Sequence, residues 1–220
     1  MEIKGIVFDY DYTLGDSTKG IVICANDALK RLGWEPFSTE QIQKTIGLSL
    51  RETYRVLTGD PDPQRAKDYH LFFRERAQEV MAPNASFFPG IPQMLQHLFL
   101  GGWKLGIVTS KQSAQIDKIL RLHHLRDYFE TVIGSDDVSA EKPDPEGLLQ
   151  IASTWKMERE ELLYIGDSLV DAKTAEQAQI RFAAVTTGVT SAKDFEPFPH
   201  CAIFHGLQEL IPFVEALPSH

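Results

Sequence analysis

Hydrophobic positions follow one period at the start of the chain, another in its middle, and an alternation of the two afterwards. Residues 3–8 form a short continuous apolar run, which is typical of a buried strand. From about residue 17 to residue 83 the apolar positions recur every three or four residues, and this spacing predicts helices. Beyond residue 83, helical stretches alternate with short apolar runs. The pattern therefore predicts one strand, then a helical segment, then a series of β–α units.

The alternating part of the chain predicts an α/β fold. Its apolar runs predict strands at residues 103–108, 129–134, 162–165, 182–185 and 202–204. Strands separated by helices form parallel sheets with right-handed connections. We expect a Rossmann-like, doubly wound parallel sheet built from residues 1–16 and 84–220. Residues 17–83 are expected to form an all-helical domain inserted after the first strand.

Two acidic residues follow the first predicted strand. Asp9 and Asp11 are separated by one residue, and side chains at i and i+2 of an extended chain point the same way. Like charges held this close raise the free energy of the site unless a cation lies between them or one carboxylate takes up a proton. The pair therefore predicts a cation site, although Asp and Thr are also common in simple turns.

Further polar residues follow other predicted strands. Thr109 and Ser110 end the strand at 103–108, Lys142 lies in a loop, and Asp167 and Asp171 follow the strand at 162–165. In open α/β sheets, ligands bind at the carboxyl ends of the strands, so we expect these groups to meet. Carboxylates suit Mg²⁺, while a hydroxyl and an ammonium group can hold phosphate oxygens. A carboxylate can also serve as nucleophile or as general acid and base.

Each of these residues also has a purely structural interpretation. Thr109 and Ser110 stand where a helix would begin, and their hydroxyls could cap it. Asp171 comes three residues after Ser168, which is the spacing of a capping pair. The alternatives remain open at this level.

Four segments in order resemble the motifs of the haloacid dehalogenase superfamily, in its form with a small helical cap. They are the stretches at residues 8–14 (FDYDYTL), 107–111 (IVTSK), 142–145 (KPDP) and 165–171 (IGDSLVD). Each segment is weak alone, but their order and separations match the family over essentially the whole chain. The resemblance implies a Mg²⁺-dependent phosphatase that works through an aspartyl-phosphate.

The first motif carries the chemistry that the resemblance implies. Asp9 would be the nucleophile and a metal ligand, and Asp11 the general acid and base, which also binds the metal through its main-chain carbonyl. Tyr12 departs from the family pattern, which usually has Gly at this position. Because Gly is the more permissive residue, we expect Tyr12 to affect the backbone geometry of this turn.

The remaining motifs supply binding groups by the same resemblance. Thr109 and Lys142 would bind phosphate, with Lys142 also steadying the nucleophile, and Ser110 is a further candidate for phosphate binding. Asp167 would be a metal ligand and Asp171 would support the metal site. In the cap, Arg51 is a candidate for a carboxylate or distal phosphate of the substrate, because a guanidinium matches such groups. An exposed helix residue is the alternative for Arg51.

Within the superfamily, the sequence is most similar to phosphoglycolate phosphatases and related pyrophosphatases. The presence of Asp11 argues against a dehalogenase proper. Residues 48–50 lack the lysine of phosphonate-cleaving relatives, and Ile21 stands where sugar-phosphate mutases typically have His. We expect hydrolysis of a small phosphomonoester resembling phosphoglycolate. A sugar-phosphate mutase and an inorganic pyrophosphatase remain as alternatives, whereas the position of Asp9 near the start of the chain argues against a phosphorylated receiver switch.

Composition limits the kinds of molecule that this protein is expected to bind. The net charge of −9 argues against nucleic acid, whose binding needs a basic surface. No apolar run is long enough to cross a bilayer, and no signal peptide is visible. Cys24 and Cys201 lie far apart, which is consistent with free thiols in the reducing cytoplasm. We therefore expect a cytoplasmic protein that acts on a small phosphorylated metabolite, with a monomer expected and a dimer as the alternative.

Overall fold

A computed structural model describes residues 2–217, which separate into two compact units. One unit comprises the residues up to Gly15 together with those from Phe87 onward, and the other spans Asp16–Ser86. The strands are β1 (Gly5–Phe8), β2 (Gly15–Asp16), β3 (Ser86–Phe87), β4 (Lys104–Val108), β5 (Thr131–Ile133), β6 (Leu162–Gly166), β7 (Arg181–Val185) and β8 (Ala202–Phe204). The short strands β2 and β3 pair with each other where the chain passes between the units.

Six strands of the first unit form one sheet in the order β5-β4-β1-β6-β7-β8, and the paired strands run parallel. β1 is central: Gly5 pairs with Lys104 on one side and with Leu162 on the other. The chain adds strands on one side of β1 and then on the other. The carboxyl end of β1 is therefore the switch point where ligands bind in such sheets. The predicted fold class is confirmed.

The helices, in chain order, are α1 (Thr18–Arg31), α2 (Thr39–Gln43), α3 (Leu50–Thr58), α4 (Pro63–Val80), α5 (Ile91–Leu100), α6 (Ser113–Leu122), α7 (Glu146–Trp155), α8 (Leu169–Ala178), α9 (Ala192–Phe195) and α10 (Leu210–Glu215). Those from α5 onward belong to the α/β unit. Within the described range, no helix has the length and apolar character that crossing a bilayer requires.

One large hydrophobic core of the α/β unit lies between the sheet and helices α7 and α8. Trp155 of α7 and Tyr164 and Phe182 of the sheet are buried in it, together with Phe195 of α9. Burying each such aromatic side chain stabilises the fold by about 1.5–3 kcal/mol. Tyr164 also has a polar end, which the core must satisfy with a hydrogen bond.

The helical unit has its own core. Leu29 of α1 and Tyr69 and Phe73 of α4 are buried, and the ring of Tyr54 from α3 lies 5.5 Å from that of Tyr69. Its helices begin where the sequence provides caps. For example, the carboxylate of Asp62 accepts hydrogen bonds from the first turn of α4. Local signals and apolar periodicity together explain why this segment is helical.

Candidate active site

A buried lysine joins two carboxylates at the carboxyl end of β1. The ammonium of Lys142 donates hydrogen bonds to Asp9 Oδ1 at 2.8 Å and to Asp171 Oδ1 at 2.7 Å. It also donates to the hydroxyl of Tyr164 at 3.1 Å. The side chains of Lys142, Asp9 and Asp171 are only 5%, 6% and 0% exposed. Since an ammonium group has three donors, these contacts use all of them.

The lysine and the first carboxylate shift each other's ionisation. Burial, opposed by Lys142 and reinforced by the charges of Asp171 and Asp11, raises the pKa of Asp9 to about 7. Burial lowers the pKa of Lys142, but the neighbouring Asp171 and Asp9 outweigh it and hold that pKa above its usual value. Lys142 is thus a fixed positive charge, and Asp9 is a carboxylate that can hold a proton near neutral pH.

A third carboxylate completes the cluster. Asp9, Asp167 and Asp171 offer oxygen atoms that all lie within 4.8 Å of one another. Asp167 is buried, and the hydroxyl of Thr13 lies 3.4 Å from its Oδ1. Burial, then the nearby Asp171 and Asp9, raises the pKa of Asp167 well above its ordinary value. Such proximity of like charges calls for a cation or protons.

The charges of the site fit a divalent cation. Four carboxylates and two ammonium groups give the site a net charge of −2 when all are ionised; the groups are Asp9, Asp11, Asp167, Asp171, Lys111 and Lys142. The available ligand atoms are hard oxygens, which Mg²⁺ prefers over nitrogen or sulfur. The donor set of Asp9, Asp167 and Asp171 therefore fits a hard divalent cation such as Mg²⁺.

Asp11 pairs with a different lysine from the one that binds Asp9 and Asp171. Its Oδ2 forms an ion pair with Lys111 at 2.9 Å, and the two side chains are 13% and 8% exposed. Its Oδ1 is buried and has no hydrogen-bond partner among residues 2–217. A buried acceptor without a partner raises the free energy of the folded state, so it marks a place where a ligand can bind.

The turn that carries Asp11 has an unusual backbone. Tyr12 has φ of 57°, in the left-handed region that favours Gly, and its N–H donates to the carbonyl of Gly15 at 2.7 Å. The hydroxyl of Thr187 donates to the Tyr12 carbonyl. A Cβ on Gly188 would lie 1.9 Å from Asp167 Oδ2 and 3.2 Å from Tyr12 Cβ. The loop after β7 therefore supports both the turn and the Asp167 carboxylate.

Thr109 lies at the end of β4 with its hydroxyl buried in the site. Its N–H donates to the carbonyl of Ile133, and its Oγ1 accepts a hydrogen bond from the N–H of Lys111. Helix α6 begins only at Ser113 and its N-cap is Gln112. Neither Thr109 nor Ser110 is the N-cap, so that structural alternative is wrong. Ser110 is half-buried beside Thr109.

For Asp171, the structure shows the capping role and the site contact together. Its Oδ2 accepts from the N–H of Ser168 at 3.1 Å, and Ser168 caps α8 in return. Its Oδ1 accepts from Lys142 at 2.7 Å and from the Tyr164 hydroxyl at 2.7 Å. One carboxylate therefore anchors the start of α8 and orients the lysine.

Arg51 lies exposed on α3 in the helical unit. Burial, then the charges of Arg74 and Arg51, lowers the pKa of His70 to about 4.

Several site contacts were not predicted from the sequence. Tyr164 lies in the apolar run that predicts the strand at 162–165, and a hydroxyl in a buried strand that leads to Asp167 is a usable signal. Lys111 belongs to a recognised segment but had no role. Thr187 and Gly188 lie outside all four segments, and nothing local distinguishes them.

Comparison with known proteins places this site in a family. The model of the haloacid dehalogenase-like hydrolases matches residues 6–185. A phosphoglycolate phosphatase of Cereibacter sphaeroides is 36% identical over 212 residues, covering 94% of this chain and 96% of that protein. A pyrophosphatase of Listeria innocua is 28% identical over 214 residues, covering 97% of both. A solved structure from Bacteroides fragilis, named as a haloacid dehalogenase-like hydrolase, has a TM-score of 0.92 and 39% identity, covering 95% of this chain and 100% of that one.

Proposed function

This chain belongs to the haloacid dehalogenase-like hydrolase family, and we propose that it is a Mg²⁺-dependent phosphatase of small phosphomonoesters resembling phosphoglycolate. The observation that carries the proposal is the buried Lys142, which joins Asp9 to Asp171 at the carboxyl end of β1. An ammonium held there can neutralise a phosphoryl group next to a carboxylate nucleophile.

In the first half of the proposed reaction, a carboxylate oxygen of Asp9 attacks phosphorus. The bond between phosphorus and the ester oxygen breaks, and Asp11 gives its proton to the leaving oxygen. Lys142, by giving up one of its three present hydrogen bonds, and the hydroxyl of Thr109 hold oxygens of the phosphoryl group during the transfer, with Ser110 as a further donor. The product is an aspartyl-phosphate on Asp9 and a free alcohol.

In the second half, water hydrolyses that intermediate. Asp11, now a carboxylate, takes a proton from the water as the water oxygen attacks phosphorus. The bond between phosphorus and the Asp9 oxygen breaks, which releases phosphate, restores the carboxylate of Asp9 and leaves Asp11 protonated as at the start. Asp11 is the general acid in the first half and the general base in the second, so its carboxyl group must be protonated before the first half and ionised before the second.

The metal site of the proposal consists of Asp9, Asp167 and the main-chain carbonyl of Asp11, with Asp171 supporting it. When bound, Mg²⁺ would neutralise negative charge on the phosphoryl group. The net charge of −2 and the all-oxygen donor set described above support this assignment. Thr13 and Gly188 would hold the Asp167 carboxylate in place for the metal.

We assign substrate selection to the helical cap expected at residues 17–83. Arg51 is the candidate for a second anionic group of the substrate. Burial, then the charges of Arg74 and Arg51, lowers the pKa of His70, and the two guanidinium groups that act on it are of the type that binds a carboxylate. Phosphoglycolate carries such a carboxylate beside its phosphate.

Phosphate release from a panel of phosphoesters tests the proposal. The panel contains phosphoglycolate, pyrophosphate, hexose phosphates and nucleotides, each with Mg²⁺ and with EDTA. We expect release that needs Mg²⁺ and is fastest with phosphoglycolate. Asp9→Asn should reduce it by at least about 10³-fold, since the nucleophile is lost, whereas the exposed Asp127→Asn should keep the wild-type rate. Faster release from pyrophosphate would favour the pyrophosphatase alternative. Isomerisation of a hexose phosphate without phosphate release would favour the mutase.

A further inference from the structure

We propose that Lys111 is a positioning residue that orients Asp11 for proton transfer. Its ammonium binds Oδ2 of Asp11 and so presents Oδ1 to the reacting oxygen. The inference rests on the proposed function, in which Asp11 is the general acid and base. Lys111 lies in the segment at residues 107–111 and takes no part in the reaction steps proposed above, so this role is additional to them.

The ion pair between Lys111 and Asp11 is directional. Lys111 Nζ lies 2.9 Å from Oδ2, while Oδ1 is buried without a hydrogen-bond partner in the described part of the chain. The two oxygens of one carboxylate thus have different surroundings. Because the ammonium occupies Oδ2, Oδ1 is the oxygen that remains for contact with the reacting oxygen.

Lys111 can orient Asp11 because its own backbone is fixed on both sides. Its N–H donates to the hydroxyl of Thr109 at 3.2 Å, and its carbonyl accepts from the N–H of Ser135 at 2.8 Å. These contacts tie it to the ends of β4 and β5, which belong to the central sheet. The side chain is 8% exposed, so it is also confined by its packing.

Orientation matters because proton transfer requires close alignment of donor and acceptor. In the first half-reaction the proton moves from Asp11 Oδ1 to the leaving oxygen as the ester bond breaks. In the second half-reaction a proton of the attacking water returns to Oδ1. Without the ion pair the carboxyl group can rotate, and either oxygen can be turned away from the reaction.

Two other roles for Lys111 make different predictions. If Lys111 bound the phosphoryl group directly, its loss would slow every substrate, whatever the leaving group. If the ion pair were only structural, its loss would lower stability and leave phosphoryl transfer unchanged. A substrate whose leaving group needs no proton separates these roles from positioning. The leaving group of p-nitrophenyl phosphate is such a stable anion, whereas that of phosphoglycolate must be protonated.

The test is a rapid-quench measurement of the rate at which aspartyl-phosphate forms from each of these two substrates. For Lys111→Met we expect formation from phosphoglycolate to slow by about 10–100-fold, within the range of general acid catalysis. Formation from p-nitrophenyl phosphate should change by less than about 3-fold, since no proton is transferred. Lys111→Arg, which keeps the charge, should recover part of the loss. In an Asp11→Asn background, Lys111→Met should have no further effect.

The contrary results are equally defined. Equal slowing of both substrates, or an undiminished effect in the Asp11→Asn background, would assign Lys111 to the phosphoryl group instead. Unchanged rates in folded Lys111→Met would leave only a structural ion pair. If the wild type forms no aspartyl-phosphate from either substrate, the proposed function itself fails, and this inference fails with it. If Lys111→Met does not fold, Lys111→Gln replaces it in every comparison.

Discussion

The ammonium of Lys142 lies 2.8 Å from Oδ1 of Asp9, and both side chains are almost completely buried. The lysine thus neutralises the carboxylate that we propose as nucleophile. The same ammonium reaches Asp171, so removing it would leave two buried carboxylates without a counter-charge.

Lys142→Met should therefore destabilise the protein and abolish turnover. We expect the free energy of unfolding at pH 8 to fall by about 3–5 kcal/mol, as is usual when one partner of a buried ion pair is removed. Urea denaturation measures this value, with the exposed Lys173→Met as the matched control. A loss below about 1 kcal/mol would show that this ion pair is not a buried one in solution.

Tyr164→Phe tests the hydroxyl that orients Asp171 and Lys142. The variant keeps the ring in the core but removes the hydrogen bond to Asp171 Oδ1. We expect a loss of about 1 kcal/mol in stability and about a tenfold fall in kcat, since the lysine becomes less well fixed. Tyr128→Phe, at a half-buried ring that packs against Phe99, is the control. Unchanged kcat would limit Tyr164 to a packing role.

Gly188→Ala should weaken metal binding. The new methyl group would collide with Asp167 Oδ2, so the carboxylate or the loop must move. We expect the dissociation constant for Mg²⁺ to rise about tenfold or more, as when groups that orient metal ligands are changed. Calorimetric titration of the folded protein with Mg²⁺ measures it without turnover. The neighbouring exposed Val189→Ala is the control, and equal affinities in both variants would contradict the prediction.

The raised pKa of Asp9, about 7, predicts how stability depends on pH. Without metal, the folded state holds a proton that the unfolded state has released. The stability contributed by that proton is complete below the ordinary Asp pKa and is lost as the pH rises through about 7. Metal binding requires the ionised carboxylate. Added Mg²⁺ should therefore raise the melting temperature more at pH 8 than at pH 5.5.

Thermal unfolding with and without Mg²⁺ at the two pH values checks this prediction. Asp9→Asn should reduce the pH dependence of the metal effect, because the amide does not titrate in this range. A metal effect that is as large at pH 5.5 as at pH 8 would mean that Asp9 is ionised throughout. The raised pKa of Asp167 acts in the same direction.

Local patterns in the sequence determined most of the secondary structure and the first site residues. The apolar run ending at Asp9 predicts a strand whose carboxyl end bears acidic groups, and the structure places Asp9 there. The spacing of Ser168 and Asp171 predicts a capping pair, and the structure shows this pair at the start of α8. The strand predicted at 129–134 is shorter, Thr131–Ile133, because a 3₁₀ turn precedes it. These features depend on neighbours only a few residues apart, so the sequence contains the information.

Only the tertiary structure decided which distant side chains meet. The hydroxyl of Thr187 reaches Tyr12 across 175 positions of the chain, and Lys142 reaches Asp9 across 133. Such contacts depend on the order of strands in the sheet, which the alternation of strands and helices leaves open. The sequence alone therefore determined the types of groups at this edge and the motifs that carry them. The strand order brings together the ends of β1, β4 and β6 and the loop after β7. It thereby decided the partners of these side chains, their burial and hence their charges.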